Sequence, residues 1–303
     1  MNNVALEPSL SPGAGSVTQT KRKFELLKFV KRYPSVVIGG LIVLVMVIIA
    51  LFAPVIAHYD PLKPMPDGLT QLGAPRPPSH EYILGTDTQG RDVFSRVLFG
   101  ARVSLEVGFF AGLISLFIGA LLGVISGYFG GWVDMVIMRI TDMVLAFPFL
   151  LFVVALVAAL SPSVHNVFIA IGVFGWAQMA RIIRSQVLSV KELEYVQAAK
   201  SLGASAWNII FVEVLPNVVT PVIIYLALAI GQNIMLEAAL SFLGFGVQPP
   251  NPSWGNMIQE GMGYYQLAPW LIYAPGISLL VATIGFNLLG DGLRDWLDPK
   301  VGK

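Results

Sequence analysis

The sequence predicts an all-α integral membrane protein with six transmembrane helices, and its composition is the first reason. Of the 303 residues, 55% are hydrophobic and 12% are charged, whereas soluble domains carry about 25% charged residues. The mean hydropathy is +0.73, and several apolar runs reach the roughly 20 residues that a helix needs to cross a bilayer. Membrane lipid is therefore an expected partner of this chain.

Six apolar runs are long enough to be transmembrane helices. They cover residues 34–57, 103–126, 136–160, 164–183, 218–244 and 270–290. The first run follows a long polar leader and exceeds the roughly 7–15 residues of a signal-peptide core, so we expect it to be a retained span. Pro148 and Pro221 lie inside two of the runs and predict kinks there.

Basic residues set the predicted orientation. Residues 1–20 are rich in Ser, Pro, Gly and Asn, which predicts a disordered tail. Residues 21–57 join a basic segment to the first span. With the N-terminus placed in the cytoplasm, the inner segments hold 14 Lys or Arg and the outer loops hold 5. The positive-inside rule therefore predicts an N-in, C-in topology, with residues 292–303 as a cytoplasmic tail.

Residues 58–102 are predicted to form an extracytoplasmic loop with an interfacial helix. Six prolines within 58–82 favour irregular structure. Asp87 is a candidate N-cap, and the apolar residues after it share one helical face, which predicts a helix leading into the second span. That face comprises Val93, Phe94, Val97 and Leu98. Three arginines would then lie at headgroup level, namely Arg91, Arg96 and Arg102.

Residues 103–291 are predicted to form the core of five further spans. The second span carries Gly119, Gly123 and Gly127, a spacing that lets helix backbones approach closely in lipid. This glycine stripe could pack against a partner subunit or within the same subunit, and the sequence favours neither alternative.

Ionisable groups are scarce inside the predicted spans, and Glu237 is the main one. Gln232 and Asn233 precede it by about one turn of helix. Since an intramembrane carboxylate indicates a functional site by default, these three residues are candidates for lining a translocation path. The alternative is a carboxylate that is solvated at the interface or bonded to a neighbouring helix.

Motifs for catalysis are absent from the sequence. It contains no P-loop, no nucleophile elbow, no zinc-protease motif and no cysteine. Its three histidines are scattered, which argues against a metal site, and a net charge of +1 gives no sign of nucleic-acid binding. We expect a chain that is not an enzyme and holds no cofactor, so its energy must come from a gradient or from another polypeptide.

A polar interruption within 185–217 predicts two short helices on the cytoplasmic side. Gly203 suits the left-handed residue that ends the first helix, Ser205 can cap the second, and Pro216 is expected to end it. The apolar face of the first comprises Tyr195, Ala198, Ala199 and Leu202. The apolar face of the second comprises Trp207, Ile210, Phe211 and Val214.

This loop resembles the EAA loop of ABC importer permeases. The matching residues are Gln197, Ala198, Ala199, Gly203, Leu215 and Pro216. In that family the loop carries the coupling helix that docks into a cleft of the cytoplasmic ATPase. The chain departs from the family pattern at Gln197, where Glu is usual, and at Glu213, where an aliphatic residue is usual.

Four further segments resemble the second, C-type permease of the dipeptide, oligopeptide and nickel branch. They are LGTDTQGRDVFSR at 84–96, GYFGGWVD at 127–134, LSFLGFGVQPPNPSWGNMI at 240–258 and FNLLGDGLRDWLDPK at 286–300. The resemblance extends over nearly the whole chain from about residue 25. It implies a type I ABC importer permease fold in the cytoplasmic membrane of a bacterium or archaeon.

The same resemblance implies the partners and the substrate. The partners would be a second, unlike permease subunit, two ABC ATPase subunits that bind ATP and Mg, and an extracytoplasmic substrate-binding protein. Short peptides are the expected substrate, with nickel, glutathione or another peptide-like compound as alternatives. A secondary transporter is the rival interpretation, but it would want ion-coordinating groups at the membrane midplane or discontinuous helices.

Docking of the binding protein is expected on the two extracytoplasmic segments, 58–102 and 246–269. The second of these is rich in proline and aromatic residues, and its stiff backbone suits a shaped surface. The candidate docking residues are Gln248, Pro249, Pro250 and Trp254.

Overall fold

The computed structural model describes residues 30–161 and 163–297. The predicted disordered tail at 1–20 lies outside the described residues, as does the end of the predicted C-terminal tail, so both stay predictions. The regular structure of the described residues is helical. In chain order the helices are α1 (Pro34–Ile56), α2 (Val93–Phe129), α3 (Gly131–Ala146), α4 (Phe149–Leu160), α5 (Val164–Lys191), α6 (Glu194–Ser201), α7 (Ala206–Phe242), α8 (Trp254–Gly261) and α9 (Trp270–Leu297).

Helix length and hydropathy confirm the predicted membrane fold. Within the described ranges, α1, α2, α5, α7 and α9 are each long and apolar enough to cross a bilayer. α3 and α4 qualify only as a pair, with an 87° bend between them. Phe147 and Pro148 both have extended backbone at the bend, because a proline disfavours helical geometry in the residue before it. Counting this pair as one broken span gives the six predicted spans.

The predicted start of the second helix is wrong. α2 begins at Val93 and continues without a break for 37 residues, so no separate interfacial helix precedes the span. Asp92, rather than Asp87, is the N-cap, and its carboxylate accepts a hydrogen bond from the Ser95 amide at 2.8 Å. At about 1.5 Å per residue, α2 is longer than the hydrocarbon thickness of about 30 Å, so part of it extends beyond the bilayer.

The glycine stripe of α2 packs within the subunit. A Cβ at Gly119 would lie 2.7 Å from the Met179 side chain, and a Cβ at Gly123 would lie 2.7 Å from the Ala180 carbonyl oxygen. A Cβ at Gly127 would lie 2.8 Å from Val187. All these neighbours belong to α5, so of the two alternatives the structure favours packing between helices of the same chain.

The prediction that Pro216 ends a helix is also wrong. A π-helical turn, Ile209–Val214, leads directly into the α-helical segment Leu215–Phe242. Pro216 is the second residue of that segment and directly follows the π-helical turn, so it lies within a continuous helix. α7 therefore runs unbroken from the predicted cytoplasmic loop through the fifth span, and it also continues past Pro221.

Substitution of Gly123 tests the contact between α2 and α5. We expect Gly123→Ala to lower the thermal stability of the detergent-solubilised protein, because overpacking costs about 1–3 kcal/mol. Gly276→Ala is the matched control, since Gly276 also lies in a helix but has no atom within 4 Å of an added Cβ. Equal melting temperatures for the two variants would contradict the packing described above.

Candidate functional site

The predicted cytoplasmic loop forms a helical hairpin that joins α6 to the start of α7. Gly203 has φ +84°, the left-handed geometry that ends α6. The Ala204 amide donates to the Ala199 carbonyl and the Gly203 amide to the Lys200 carbonyl, both at 3.1 Å, which is a Schellman motif. The Ser205 hydroxyl accepts a hydrogen bond from the Asn208 amide at 3.3 Å, as predicted for a capping residue.

The apolar side chains of the hairpin divide into an inner and an outer set. The inner set comprises Val196, Ile209, Ile210 and Val214, which pack in one cluster with Ile183 and Val187 of α5. The outer set comprises Tyr195, Leu202, Trp207 and Phe211, whose exposed fractions are 44%, 88%, 60% and 63%. A sizeable apolar surface on this hairpin is therefore left uncovered by the chain itself.

The apolar face predicted for the second short helix is divided between these two sets. Ile210 and Val214 are buried, whereas Trp207 and Phe211 are exposed and stack with their ring centroids 6.1 Å apart. The π-helical turn is the reason, because its i→i+5 hydrogen bonds change the number of residues per turn. Residues four apart still share a face, as Trp207 with Phe211 and Ile210 with Val214, but the two pairs lie on different faces. The sequence contained no signal for this turn.

On the opposite end of the bundle, four charged side chains form a charge cluster, defined as Asp87, Arg91, Arg96 and Glu260. Arg91 Nε lies 2.6 Å from Asp87 Oδ2, and Arg91 Nη2 lies 3.0 Å from Glu260 Oε2. Arg96 Nη2 also lies 3.0 Å from Glu260 Oε2. Arg96 Nε is 3.3 Å from Asp87 Oδ2 but makes no hydrogen bond. Two cations and two anions leave the cluster neutral.

The charge cluster corrects the predicted position of two arginines. Arg91 and Arg96 are almost wholly buried in protein, so they do not face lipid headgroups; Arg102 is exposed. Burying such charges is tolerable because each is paired and hydrogen-bonded. The cluster joins the loop before α2, the first turns of α2 and helix α8. The two extracytoplasmic segments are thereby held together as one platform.

Additional contacts hold the loop before α2 against the rest of the chain. Trp270 Nε1 donates to the Thr86 carbonyl at 3.1 Å, and Thr86 Oγ1 donates to the Gly68 carbonyl at 2.6 Å. Tyr82 donates to Asp67 at 2.9 Å. Burial, together with this Asp67 carboxylate, raises the pKa of the Tyr82 phenol. The loop is irregular, as predicted, but it is tied to α9 and to itself by buried and partly buried polar contacts.

The candidate docking residues fall into two groups. Gln248, Pro249 and Pro250 are exposed and remain candidates. Trp254 is fully buried and its Nε1 donates to the Val97 carbonyl at 3.2 Å, so its inclusion in an accessible docking surface is wrong. Its ring packs against Gly100 of α2 and anchors α8 to that helix.

Glu237 lies in a buried polar contact between helices of the same chain. Its carboxylate accepts a hydrogen bond from Ser104 of α2 at 2.8 Å and another from Ser241 at 2.6 Å. The Ser241 hydroxyl in turn accepts from the Val247 amide at 3.0 Å. Glu237 is fully buried and is not among the residues around the nearby cavity. These contacts match the alternative of a carboxylate bonded to a neighbouring helix.

Gln232 and Asn233, in contrast, both line a cavity of about 370 Å³ between α2, α5, α7 and the bend that joins α3 to α4. Asn233 also donates to the Gly108 carbonyl at 3.3 Å. Sequence reasoning missed Gln178, Tyr225 and Ser115, which line the same cavity. The available signal for Gln178 is its position as a polar residue inside the predicted span 164–183.

A bundle of apolar helices, an exposed hairpin at one end and a platform at the other define a multi-pass membrane permease. Residues 119–303 match the family described as binding-protein-dependent transport system inner membrane component. Residues 27–75 match the N-terminal transmembrane domain of oligopeptide transport permease C. The chain therefore belongs to this transport family, as a permease subunit of an ABC importer in the inner membrane.

Individual relatives agree with this assignment. The chain is 41% identical over 295 residues to the dipeptide transport system permease protein DppC of Alkalihalophilus pseudofirmus, with 97% of this chain and 95% of the relative covered. It is 39% identical over 274 residues to the glutathione transport system permease protein GsiD of Pectobacterium atrosepticum, with 90% and 89% covered.

A solved structure shares the fold. It is a crystal structure of an amino acid ABC transporter with histidines, and one of its chains superposes with a TM-score of 0.54 at 16% identity. The match covers 67% of this chain and 95% of that chain. At this identity the likeness shows the fold alone.

Neutralising Glu260 tests whether the charge cluster holds the platform together. We expect Glu260→Gln to destabilise the protein by about 3–5 kcal/mol, because removing one of the two anions leaves two buried arginines with a single carboxylate between them. Limited proteolysis of the loop before α2, in the intact complex, should become correspondingly faster. Asp60→Asn is the matched control, since the Asp60–Lys63 pair is exposed and exposed pairs contribute little to stability. Similar proteolysis of both variants would refute the role of the cluster.

Proposed function

We propose that this chain forms half of the translocation path of an ATP-driven importer of short peptides. The other half is a second, unlike permease subunit. Two ABC ATPase subunits bind ATP and Mg and hydrolyse the ATP in the cytoplasm, and an extracytoplasmic protein delivers the substrate. This chain is itself non-catalytic and holds no cofactor.

The observation that carries this proposal is the exposed apolar surface of the hairpin. Leu202, Trp207 and Phe211 stand outward from a segment whose backbone is fixed by a Schellman motif and a buried core. Large aromatic side chains at a fixed position are typical anchors of protein interfaces. The small exposed residues Ala198 and Gly203 allow close approach of a partner backbone. Gln197, Ala198, Ala199, Gly203, Leu215 and Pro216 are thus proposed as the ATPase-coupling segment.

Coupling requires that movement of the hairpin reaches the spans. Val196 of α6 packs in the same apolar cluster as Val124 of α2 and Val187 of α5, and α7 continues from the hairpin into the membrane without a break. ATP-driven closure of the ATPase pair would therefore displace several helices together. Two arrangements of the bundle must exist for this displacement to open the path alternately to each side.

The extracytoplasmic platform is the proposed docking surface for the binding protein. Its exposed residues include Gln248, Pro249 and Pro250 and the aromatic turn around Tyr264 and Tyr265. Since the charge cluster ties this platform to the first turns of α2, binding on the outside acts on a helix that also reaches the cytoplasmic side.

Short peptides are the proposed substrate class because the relatives described above are named for dipeptide and glutathione transport. Both compounds carry peptide bonds, so glutathione falls within the same proposal as a peptide-like substrate. Nickel is not favoured by any observation within the described residues. Selectivity is expected to reside largely in the binding protein.

Purification of the complex tests the proposed function directly. We expect the detergent-solubilised protein to copurify with a P-loop ATPase and a second permease. After reconstitution in lipid vesicles, di- and tripeptides with the cognate binding protein should stimulate ATP hydrolysis, whereas free amino acids should not. Complexes that never contain an ATPase would overturn the importer proposal, and stimulation by nickel salts alone would overturn the peptide substrate.

Gly203 tests the coupling segment. We expect Gly203→Val to retain ATP hydrolysis but to lose most peptide uptake, because the left-handed geometry strains an ordinary side chain by about 1–2 kcal/mol, a roughly 5- to 30-fold loss of the native turn. An added Cβ meets no atom within 4 Å, so the effect arises from backbone strain rather than a clash. Gly203→Asn is the control, since Asn tolerates this geometry. Normal uptake by the Val variant would contradict the coupling role.

A further inference from the structure

The cavity between α2, α5, α7 and the α3–α4 bend combines polar and aromatic side chains. Its volume is about 370 Å³, within the range of roughly 300–1,000 Å³ typical of small-molecule sites. Phe147, Phe149 and Phe174 form part of an apolar wall. The polar side chains on it are Ser115, Gln178, Tyr225, Gln232 and Asn233.

Three of these polar side chains, those of Gln178, Tyr225 and Gln232, make no hydrogen bond within the part of the chain that the structure describes. The Ser115 hydroxyl donates to the Gly172 carbonyl and the Asn233 amide to the Gly108 carbonyl, so both are satisfied. Gln178 and Gln232 make no such hydrogen bond, and both are exposed. Both amides line the cavity and are exposed, so their donors and acceptors are available to a solute that enters it.

The chemistry of the lining defines that occupant. No acidic, basic or imidazole side chain is among the described residues that line the cavity, so these residues offer no counter-ion to a solute with a net charge. A glutamine amide offers two donors and one acceptor, which complement the carbonyl and N–H groups of a peptide bond. The aromatic wall accommodates side chains of differing shape. The lining thus suits a neutral, amide-bearing ligand with variable substituents.

We propose that this cavity is an intramembrane site at which Gln178 and Gln232 bind the backbone amide groups of a transported peptide. The inference rests on the proposed function and deepens it, since it names the contact between this subunit and the substrate. Gln178 lies on α5 and Gln232 on α7, so the site depends on the arrangement of two helices that the cytoplasmic hairpin connects. A side chain of the second permease is the competing occupant of this cavity. The photocross-linking experiment below distinguishes that side chain from a bound peptide.

Photocross-linking in the assembled transporter tests the site. A photoreactive amino acid at position 178 or 232 should label radiolabelled dialanine or trialanine during transport in vesicles. Position 173 is the matched control, because Val173 lies on the same helix, is 39% exposed and does not line the cavity; it should give no peptide adduct. Adducts only to the second permease, independent of peptide, would overturn the proposal.

A substitution provides the second measurement. We expect Gln178→Leu to reduce the kcat/KM of peptide uptake about five- to tenfold, the effect of losing one substrate hydrogen bond, while Val173→Leu leaves uptake unchanged. Uptake by the unmodified complex distinguishes failure of the proposed site from failure of the proposed substrate class. If it transports peptides but gives no adduct and tolerates Gln178→Leu, the site is refuted and the importer stands. If it transports none of the peptides, the proposed substrate class fails, and this site fails with it.

Discussion

Close contact between α2 and α5 is the constraint on which the rest of the bundle depends. Lipid chains are as apolar as leucine, so the hydrophobic effect does not hold these helices together. The glycines of α2 instead let the two backbones approach, and polar contacts fix their register. Ser115 donates to the Gly172 carbonyl and Lys191 donates to the Gly127 carbonyl, each at 3.0 Å. A shift of one helix along the other would break both hydrogen bonds and clash at the glycines.

This register matters because α2 contributes to each functional region. Its first turns supply Arg96 to the charge cluster, its middle supplies Ser104 to Glu237 and Ser115 to the cavity, and its last turns pack in the cluster that includes Val196. A contiguous chain of packed groups therefore connects the extracytoplasmic platform, the cavity and the hairpin. Such a connection is the physical requirement for events at one end to influence the other.

Hydropathy and charge predicted the spans because each depends on local sequence. The caps of the hairpin were predictable for the same reason, since Gly203 and Ser205 act on their own neighbours. The charge cluster was not, because Arg91 and Glu260 are separated by 169 positions. Pro148 marked the place of the bend but not its 87° angle, which depends on contacts such as Phe149 against Phe174, with ring centroids 5.0 Å apart.

Some polar groups of the bundle are explained by their contribution to the stability of the fold, whereas others are not. The charge cluster is neutral and paired, although Arg96 Nε makes no hydrogen bond. Glu237 accepts hydrogen bonds from two serines, and both arrangements hold segments of the chain together. Gln178 and Gln232 stabilise nothing by hydrogen bonding within the described chain, although a leucine at either position would suit lipid or an apolar core better. Both amides are exposed and line the cavity, and the occupant proposed above, which enters and leaves, accounts for them. A translocation path needs such an occupant, because a permanently satisfied site would hold its ligand rather than pass it on.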